Sequence, residues 1–231
     1  MTPATALITG ASAGLGRALA TELSGRGWRL VVDARDADRL AEAVTALPHP
    51  DLVTAVAGDV ADPAHRAELA AAVGDRLDLL VNNASDLGPT PLPPLAELPP
   101  AQLQRVLVVN VVAPLALTQL LLPALRRAGG TVLDISSDAA VEAYEGWGGY
   151  GASKAALDQL SAVFAVEEPL VRVHAVDPGD MDTAMHRAAD PDATGLPSPA
   201  DVVPALLRLV DERPPSGRYR AAELRPAEAA R

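Results

Sequence analysis

The chain has 231 residues, 49% of them apolar, and it contains no cysteine. This size and composition suit one domain with a full hydrophobic core, and the absence of cysteine excludes disulfides, a thiol nucleophile and thiolate metal sites. The formal net charge of −11 opposes binding to nucleic acid or anionic membrane, because both attract clustered Lys and Arg.

Short β-branched or Leu-rich runs alternate with Ala-rich helical segments along most of the chain. The predicted strands are residues 4–9, 28–33, 52–57, 77–82, 130–136, 170–176 and 217–222. Because these runs are apolar throughout, they indicate parallel strands that helices cover on both faces. The sequence therefore predicts one α/β domain over residues 1–231, a Rossmann-type doubly wound parallel seven-stranded sheet, with a flexible tail over 225–231.

The first predicted strand leads into a glycine-rich stretch, "TGASAGLG", at residues 9–16. Gly10 permits a tight turn, Gly14 lets the backbone approach a phosphate, and Gly16 lets the following helix pack closely. Free amide groups at the start of that helix favour an anion. Alone, three glycines are as typical of ordinary turn chemistry as of a nucleotide site. The interpretation therefore depends on the motifs that follow.

A long uncharged run covers residues 106–125. A stretch of about 20 apolar residues can span a bilayer. Asn110, Pro114 and Pro123 interrupt the run, however, and strand patterns flank it on both sides. Because the sheet needs a helical layer over each face, we interpret the run as a core helix and not as a membrane span.

Polar residues and glycine follow three of the predicted strands, in "NNAS" (82–85), "DISS" (134–137) and "DPG" (177–179). The carboxyl ends of parallel strands share one edge of the sheet, and ligands bind at that edge. Two proline-rich segments, 88–100 and 189–201, also follow strands there. We predict that these segments are loops or lids over a ligand site.

The stretch "GWGGYGASKAALD" (146–158) places Tyr150 and Lys154 four positions apart in a predicted helix. This spacing puts both side chains on one helical face. A neighbouring ammonium group favours a phenolate, so we expect Lys154 to lower the tyrosine pKa from its usual value of about 10. The pair then suits proton exchange near neutral pH.

These motifs, in this order, resemble those of the short-chain dehydrogenase/reductase family. The resemblance extends from Ala4 to about Leu224 and rests on "TGASAGLG", "GDV" (58–60), "NNAS", Asn110, Ser137, "YGASK" and the Pro-Gly pair at 178–179. It implies an NAD(P)-dependent oxidoreductase that transfers a hydride from the nicotinamide to a carbonyl carbon.

Four residues match the catalytic tetrad of that family. The resemblance implies that Tyr150 is the general acid and that Lys154 lowers its pKa and binds the nicotinamide ribose. Ser137 would orient and stabilise the carbonyl oxygen. Asn110 would hold a water molecule in the proton relay.

The end of the second strand bears on the choice of cofactor. Aligned from Gly27 on the family pattern, the position that is acidic in NAD-dependent enzymes falls on Ala34, and Arg35 follows it. A guanidinium group suits the 2′-phosphate of NADP(H), which we favour. Asp33 leaves NAD(H) as the alternative, since a slip of one residue would bring its carboxylate to the acidic position.

The resemblance also implies which residues hold the dinucleotide. They are Gly10, Ser12, Ala13, Gly14, Leu15, Gly16, Ala34, Arg35, Asp59, Val60, Asn83, Ala84, Ser85, Tyr150, Lys154, Pro178, Gly179, Met181 and Thr183. Asp59 and Val60 match the pair beside the adenine ring. Ser85 departs from the pattern, because the family usually has glycine there.

Residues 146–185 look like the sepiapterin reductase branch of the family, which also includes reductases of benzil. The aspartate that anchors the pterin in that branch corresponds to Ala221, and Glu223 is out of register. We therefore expect an apolar pocket for a compact ketone or diketone in place of a pterin site. The predicted substrate-contacting residues are Ser137, Trp147, Tyr150, Met181 and Met185.

The sequence leaves two other functions open on the same fold: a non-redox tailoring enzyme, such as a dehydratase or cyclase, and a nucleotide-binding regulatory protein. His49, His65, His174 and His186 lack metal-ligand spacing, so we predict no metal site. We expect a cytoplasmic homodimer or homotetramer that acts on a small carbonyl compound or alcohol, with no nucleic-acid or membrane partner.

Overall fold

The computed structural model describes residues 3–224, and the tail predicted over 225–231 lies outside the described residues. A seven-stranded sheet runs through this part of the chain in the order β3-β2-β1-β4-β5-β6-β7. The strands are β1 Thr5–Ile8, β2 Arg29–Ala34, β3 Val53–Ala57, β4 Leu79–Asn82, β5 Thr131–Ile135, β6 Arg172–Asp177 and β7 Gly217–Arg220. Every neighbouring pair is parallel, which confirms the predicted doubly wound sheet.

Helices connect the strands and cover both faces of the sheet. They are α1 Gly14–Gly25, α2 Ala37–Thr45, α3 Pro63–Val73, α4 Pro100–Leu107, α5 Ala113–Ala128, α6 Gly148–Glu167, α7 Ala184–Ala189, α8 Pro199–Asp211 and α9 Ala221–Leu224. A π-helical turn, Val108–Val112, joins α4 to α5. The final strand is shorter than predicted because the chain becomes helical at Ala221.

Local sequence fixes where several helices begin. The Asp36 carboxylate accepts a hydrogen bond from the Arg39 amide at the start of α2. Asp62 does the same for α3, where Pro63 follows in the first turn. Each side chain satisfies a backbone amide that has no partner within the helix.

The core lies on both sides of the sheet because successive strand residues face opposite ways. Ile8 packs into a cluster with α1 and α8, whereas its neighbour Leu7 packs with α3 and α5. Leu121, in the middle of the apolar run 106–125, is 2% exposed and belongs to the second cluster. This part of the chain therefore covers the sheet, as predicted for a core helix.

Candidate active site

A cleft of about 430 Å³ lies at the carboxyl edge of the sheet. The segments that follow β1 to β6 all contribute to its lining. The edge is the one that the polar strand ends predict, and the cleft is large enough for an extended organic ligand.

The glycine-rich loop after β1 forms one wall of the cleft. Gly10 and Gly14 have φ values of +68° and +54°, which favour glycine. A Cβ atom on Gly16 would lie 2.4 Å from the Gly10 carbonyl oxygen, so close packing of α1 requires glycine there. The backbone at this wall is open to a ligand, and the geometry fits a dinucleotide phosphate.

The side chain of Asp33 supports the glycine loop from behind. One carboxylate oxygen accepts a hydrogen bond from the Gly10 amide at 2.7 Å, and the other lies 3.1 Å from Nε2 of His65. Asp33 is 1% exposed, and the hydrogen bond to its carboxylate raises the pKa of His65. Because Asp33 is 1% exposed, its carboxylate presents little surface to ribose hydroxyls.

Two arginines line the cleft just after β2. Arg35 follows the strand directly, and Arg39 lies in the first turn of α2. Neither guanidinium group makes a hydrogen bond or ion pair within residues 3–224. Two unpaired guanidinium groups at one end of a cleft suit a phosphate. The sequence pattern indicated Arg35 and missed Arg39.

Asp59, after β3, is held by an arginine from a distant helix. Nη2 of Arg105 in α4 donates to the Asp59 carboxylate at 2.7 Å, and Nε of Arg105 lies 3.5 Å from Asp86. Partial burial favours a higher pKa for Asp59, but hydrogen bonds from Arg105 and the Ala61 amide outweigh it and lower the pKa. Asp59 therefore stays ionised with fixed orientation.

Asn83 joins the end of β4 to the glycine loop. Its amide group donates to the carbonyl oxygens of Thr9 and Gly10 at 2.8 and 3.2 Å. The Thr9 hydroxyl accepts hydrogen bonds from the backbone amides of Asn83 and Ala84. These contacts fix two neighbouring cleft walls relative to one another.

Asn110 lies in the π-helical turn, 1% exposed, and does not line the cleft. Its carbonyl oxygen accepts from the Asp86 amide at 2.7 Å and from the Ser85 hydroxyl at 3.2 Å. Its amide group donates to the Asp86 carbonyl and to Ser153 in α6, both at 2.9 Å. Asn110 therefore fastens the segment after β4 to α6. The role expected for Asn110, holding a water molecule of the proton relay, stays a prediction.

Tyr150 and Lys154 project from α6 toward the end of β5. The Lys154 ammonium donates to the Ile135 carbonyl oxygen at 2.7 Å and lies 5.4 Å from the centre of the Tyr150 ring. Trp147 packs edge-on against the same ring, with centroids 5.7 Å apart. Tyr150 and Lys154 are 9% and 2% exposed. The predicted pairing on one helical face is present.

The protonation of this pair differs from the prediction. Burial raises the pKa of Tyr150 to about 12; the Ser85 hydroxyl opposes the rise, and the charges of Asp138 and Asp177 add to it. Burial also lowers the pKa of Lys154 to about 8. The expectation that Lys154 makes the tyrosine acidic is therefore wrong for the protein alone. Desolvation of the phenolate is the largest contribution to the rise.

Ser137 follows β5 and lines the cleft together with Ser136 and Asp138. Its hydroxyl accepts from the Ala139 amide at 3.1 Å and donates to Oδ1 of Asp138 at 2.9 Å. The Ser136 hydroxyl is buried and has no hydrogen-bond partner in the described part of the chain.

An arginine of the last strand holds the Ser137 backbone. Nη2 of Arg218 donates to the Ser137 carbonyl oxygen at 3.0 Å, and Nε donates to Asp158 in α6 at 2.9 Å. Arg218 therefore connects β7, α6 and the segment after β5.

The expected substrate end is less apolar than predicted. Trp147, Met181 and Met185 line it as expected. Four carboxylates also line this half of the cleft: Asp86, Asp138, Asp177 and Asp180. The sequence reasoning missed them because it weighed only the apolar residues near Tyr150.

The end of β7 does not reach the cleft. Ala221 is 2% exposed and packs in the core, and Glu223 lies on the exposed side of α9. Neither residue lines the cleft. Glu223 therefore does not replace the carboxylate that is missing at position 221.

All but two of the predicted site residues line this one cleft. The exceptions are Gly16, which packs behind the glycine loop, and Asn110. Lining residues that the sequence reasoning did not single out include Arg39, Asp86, Arg105, Ser136, Asp138 and Asp180. No group of three or more His, Asp or Glu side chains suited to a metal occurs in residues 3–224.

Sequence comparison matches this chain to one protein family and to several of its members. The family model described as short chain dehydrogenase matches residues 4–194. Sepiapterin reductase of Mus musculus is 37% identical over 202 residues, covering 80% of this chain and 77% of the mouse protein. A rhamnolipids biosynthesis 3-oxoacyl-(acyl-carrier-protein) reductase of Pseudomonas aeruginosa is 36% identical over 201 residues, covering 81% and 77%.

Solved structures agree with the fold. A short chain dehydrogenase from Shigella flexneri, complexed with NADP, superposes with a TM-score of 0.88. The two chains are 29% identical, and the superposition covers 96% of this chain and 98% of the other.

Proposed function

The chain belongs to the short-chain dehydrogenase family, and we propose that it is a carbonyl reductase of small ketones or diketones. As a member of that family it is an NAD(P)-dependent oxidoreductase, and NADP(H) is its cofactor. The single observation that carries the proposal is the convergence of Tyr150, Lys154 and Ser137 on one cleft whose other end carries two free arginines.

The residues of the cleft fit the dinucleotide at both ends. Arg35 and Arg39 would hold the 2′-phosphate, and the glycine loop would hold the pyrophosphate through backbone amides. Asp59, kept ionised and oriented by Arg105, would accept hydrogen bonds from the adenine edge. NADPH, when bound, supplies the hydride for reduction.

Tyr150 would act as the general acid. Its raised pKa keeps the phenol protonated at neutral pH, which is the form needed to protonate an alkoxide. The Ser137 hydroxyl would donate a hydrogen bond to the same oxygen, after turning away from Asp138. Lys154, with a pKa of about 8, could return a proton to Tyr150 near neutrality.

The pterin substrate of the mouse relative is not carried over. A pterin ring needs an acceptor for its guanidine-like edge, and leaving such donors unpaired costs about 1–3 kcal/mol. Ala221, at the position that anchors the pterin in the sepiapterin reductase branch, offers no side-chain acceptor and packs away from the cleft. The carboxylates that line the expected substrate end of the cleft lie at or after the ends of β4, β5 and β6, and none stands at that position. We therefore expect compact aromatic ketones and diketones to be reduced with a higher kcat/KM than sepiapterin.

An NADPH-oxidation screen tests the proposal, with diketones, quinones, pterins and aliphatic ketones as substrates. We expect loss of NADPH absorbance with at least one compact ketone. Product formation without any change in NADPH would contradict a reductase and support a dehydratase or cyclase. Nucleotide binding without turnover of any compound would instead support a regulatory protein.

A further inference from the structure

Asp138 lies next to the residue that would bind the substrate carbonyl. Oδ1 accepts from the Ser137 hydroxyl at 2.9 Å and from the Ala139 amide at 2.8 Å, whereas Oδ2 accepts from the Tyr144 hydroxyl at 3.0 Å. A carboxylate offers about four acceptor positions. Oδ2 therefore keeps an acceptor position for a ligand, and Asp138 lines the cleft.

Negative charge prevails around this position. Asp86, Asp177 and Asp180 line the same half of the cleft. The basic side chains nearby are engaged with other groups. Arg105 binds Asp59 and Asp86, Arg220 lies 3.6 Å from Asp177, and His186 lies 3.5 Å from Asp180. Arg218 binds Asp158 and the Ser137 carbonyl, and Lys154 donates to the Ile135 carbonyl. Within residues 3–224, Asp138 is the one carboxylate of the four that has no basic partner.

The free guanidinium groups of the cleft lie at its other end. Arg35 follows β2, and three inter-strand steps separate β2 from β5, where Asp138 follows. At the usual strand spacing this is a separation of roughly 14 Å. The cleft is therefore divided into a cationic half, which suits phosphates, and an anionic half around the predicted reaction centre.

The negative charges in the anionic half of the cleft act on the Tyr150 phenol. The charges of Asp138 and Asp177 both act to raise the pKa of the Tyr150 phenol. Groups that disfavour a nearby anion favour a nearby cation for the same electrostatic reason. Trp147, on the same side of the cleft, adds an aromatic ring, and such rings also attract cations.

We propose that Asp138 binds a protonated amine and that the preferred substrates are amino ketones, with the amine one or two carbons from the carbonyl. This inference rests on the proposed carbonyl reductase function. Ser137 would hold the carbonyl oxygen of the substrate, and Asp138 would hold its ammonium group. The carbonyl gains a hydride from NADPH and a proton from Tyr150, and the amine is unchanged. Ketones that carry a carboxylate are repelled.

Four phenyl ketones that differ at one terminal group test the charge preference. They are β-aminopropiophenone, β-hydroxypropiophenone, butyrophenone and β-benzoylpropionate, assayed at pH 7, where the alkyl amine is protonated. For the wild-type protein with NADPH, we expect kcat/KM to be at least about tenfold higher for the amine than for butyrophenone. The carboxylate should be the poorest substrate.

Asp138→Asn is the test variant, since the amide keeps an acceptor for Ser137 and removes the charge. We expect the ratio of kcat/KM for the amine to that for butyrophenone to fall about tenfold or more. Glu142→Gln is the matched control, because the Glu142 carboxylate lies 2.9 Å from the same Tyr144 hydroxyl but does not line the cleft. The control should keep the wild-type ratio. An equal loss for all four ketones in Asp138→Asn would overturn the inference and leave Asp138 only a role in positioning Ser137.

A binding measurement separates this inference from the proposed function. Calorimetry with the amino alcohol that corresponds to β-aminopropiophenone, and with phenylbutanol, requires no turnover. We expect Asp138→Asn to weaken the amino alcohol about tenfold and phenylbutanol less than about twofold. Charge-dependent binding without NADPH oxidation would contradict the reductase and retain the amine site. NADPH oxidation without any preference for the amine would retain the reductase and overturn the amine site.

Discussion

The Lys154 ammonium nitrogen lies 5.4 Å from the centre of the Tyr150 ring while it donates a hydrogen bond to the Ile135 carbonyl. The pair is buried, and burial shifts the two pKa values apart, to about 12 for Tyr150 and about 8 for Lys154. Both shifts favour the neutral form of the side chain. At neutral pH the Tyr150 phenol is therefore protonated, and it lies beside an amine with a pKa of about 8.

Removal of the phenol hydroxyl should abolish turnover. Tyr150→Phe keeps the ring that packs on Trp147, so we expect NADPH to bind with an unchanged dissociation constant while kcat falls at least about a hundredfold. Tyr219→Phe is the control, because within residues 3–224 its hydroxyl bonds only the Pro215 carbonyl. Near-normal turnover by Tyr150→Phe would remove Tyr150 from the mechanism.

The raised pKa of Tyr150 predicts that the two reaction directions differ in their dependence on pH. Reduction needs the protonated phenol, which exists at any pH below about 12. Oxidation of an alcohol needs the phenolate, whose small fraction rises about tenfold per pH unit below the pKa. With NADP and an alcohol product, initial rates should therefore climb steadily from pH 7 to 9.5. A plateau close to pH 7 would mean that bound cofactor lowers the tyrosine pKa.

Arg35 should distinguish the phosphorylated cofactor from the unphosphorylated one. Arg35→Ala removes a charge-assisted hydrogen bond that contributes about 1.5–3 kcal/mol, and only NADPH has the 2′-phosphate that receives it. We expect the dissociation constant of NADPH to rise about tenfold to a hundredfold and that of NADH to change little.

Two further variants serve as comparisons, and the dissociation constants of NADPH and NADH are measured by fluorescence titration. Arg39→Ala should weaken NADPH in the same direction by a smaller factor, because Arg39 lies four residues beyond Arg35, in the first turn of α2. Arg17→Ala should change neither constant, since Arg17 does not line the cleft. Equal weakening of both cofactors by Arg35→Ala would move the phosphate site elsewhere.

A buried histidine should make stability fall in acid. His174 in β6 is 0% exposed, neither ring nitrogen has a hydrogen-bond partner in the described residues, and burial lowers its pKa to about 4. The unfolded chain binds a proton near pH 6.5, so the native state loses stability as pH falls from 6.5 to 4, by about 3 kcal/mol in total. Above pH 6.5 this residue adds no pH dependence.

Urea unfolding of His174→Phe checks this prediction. The ring of Phe can keep the edge-on contact with Tyr219 and removes two unsatisfied nitrogens. We expect the variant to equal or exceed the wild type in free energy of unfolding at pH 7 and to lose less of it at pH 5. His49→Asn, at an exposed position, should behave as wild type. The same acid dependence in His174→Phe would assign it to other groups.

Apolar side chains on α5, α6 and the turn after α6 predict self-association. Leu120, Val166 and Leu170 are 49%, 82% and 66% exposed, and exposed large apolar side chains are typical of interfaces. Light scattering at micromolar protein should give a homodimer or homotetramer. Leu120→Glu with Val166→Glu should shift it to monomer, while Leu95→Glu, at another exposed position, should not. A monomeric wild type would contradict the prediction.

The sequence could predict the sheet and most of the cleft because both depend on local patterns. Apolar runs marked the strands, and the glycines after β1 and the spacing of Tyr150 and Lys154 marked the site. The pKa of Tyr150 was mispredicted because spacing gives proximity and not burial. Arg105 was missed because it is an ordinary helix arginine until folding brings it to Asp59, 46 positions away.

The hydrogen bond from Arg218 to the Ser137 carbonyl gives the last strand of the sheet a consequence for protein engineering. A chain cut before β7 would keep every residue of the proposed tetrad and lose the clamp between α6 and the Ser137 segment. Split or permuted forms of the protein should therefore be opened elsewhere, for example in the proline-rich stretch 189–201. β7 is remote from the glycine loop, but any engineered form of the protein must keep it.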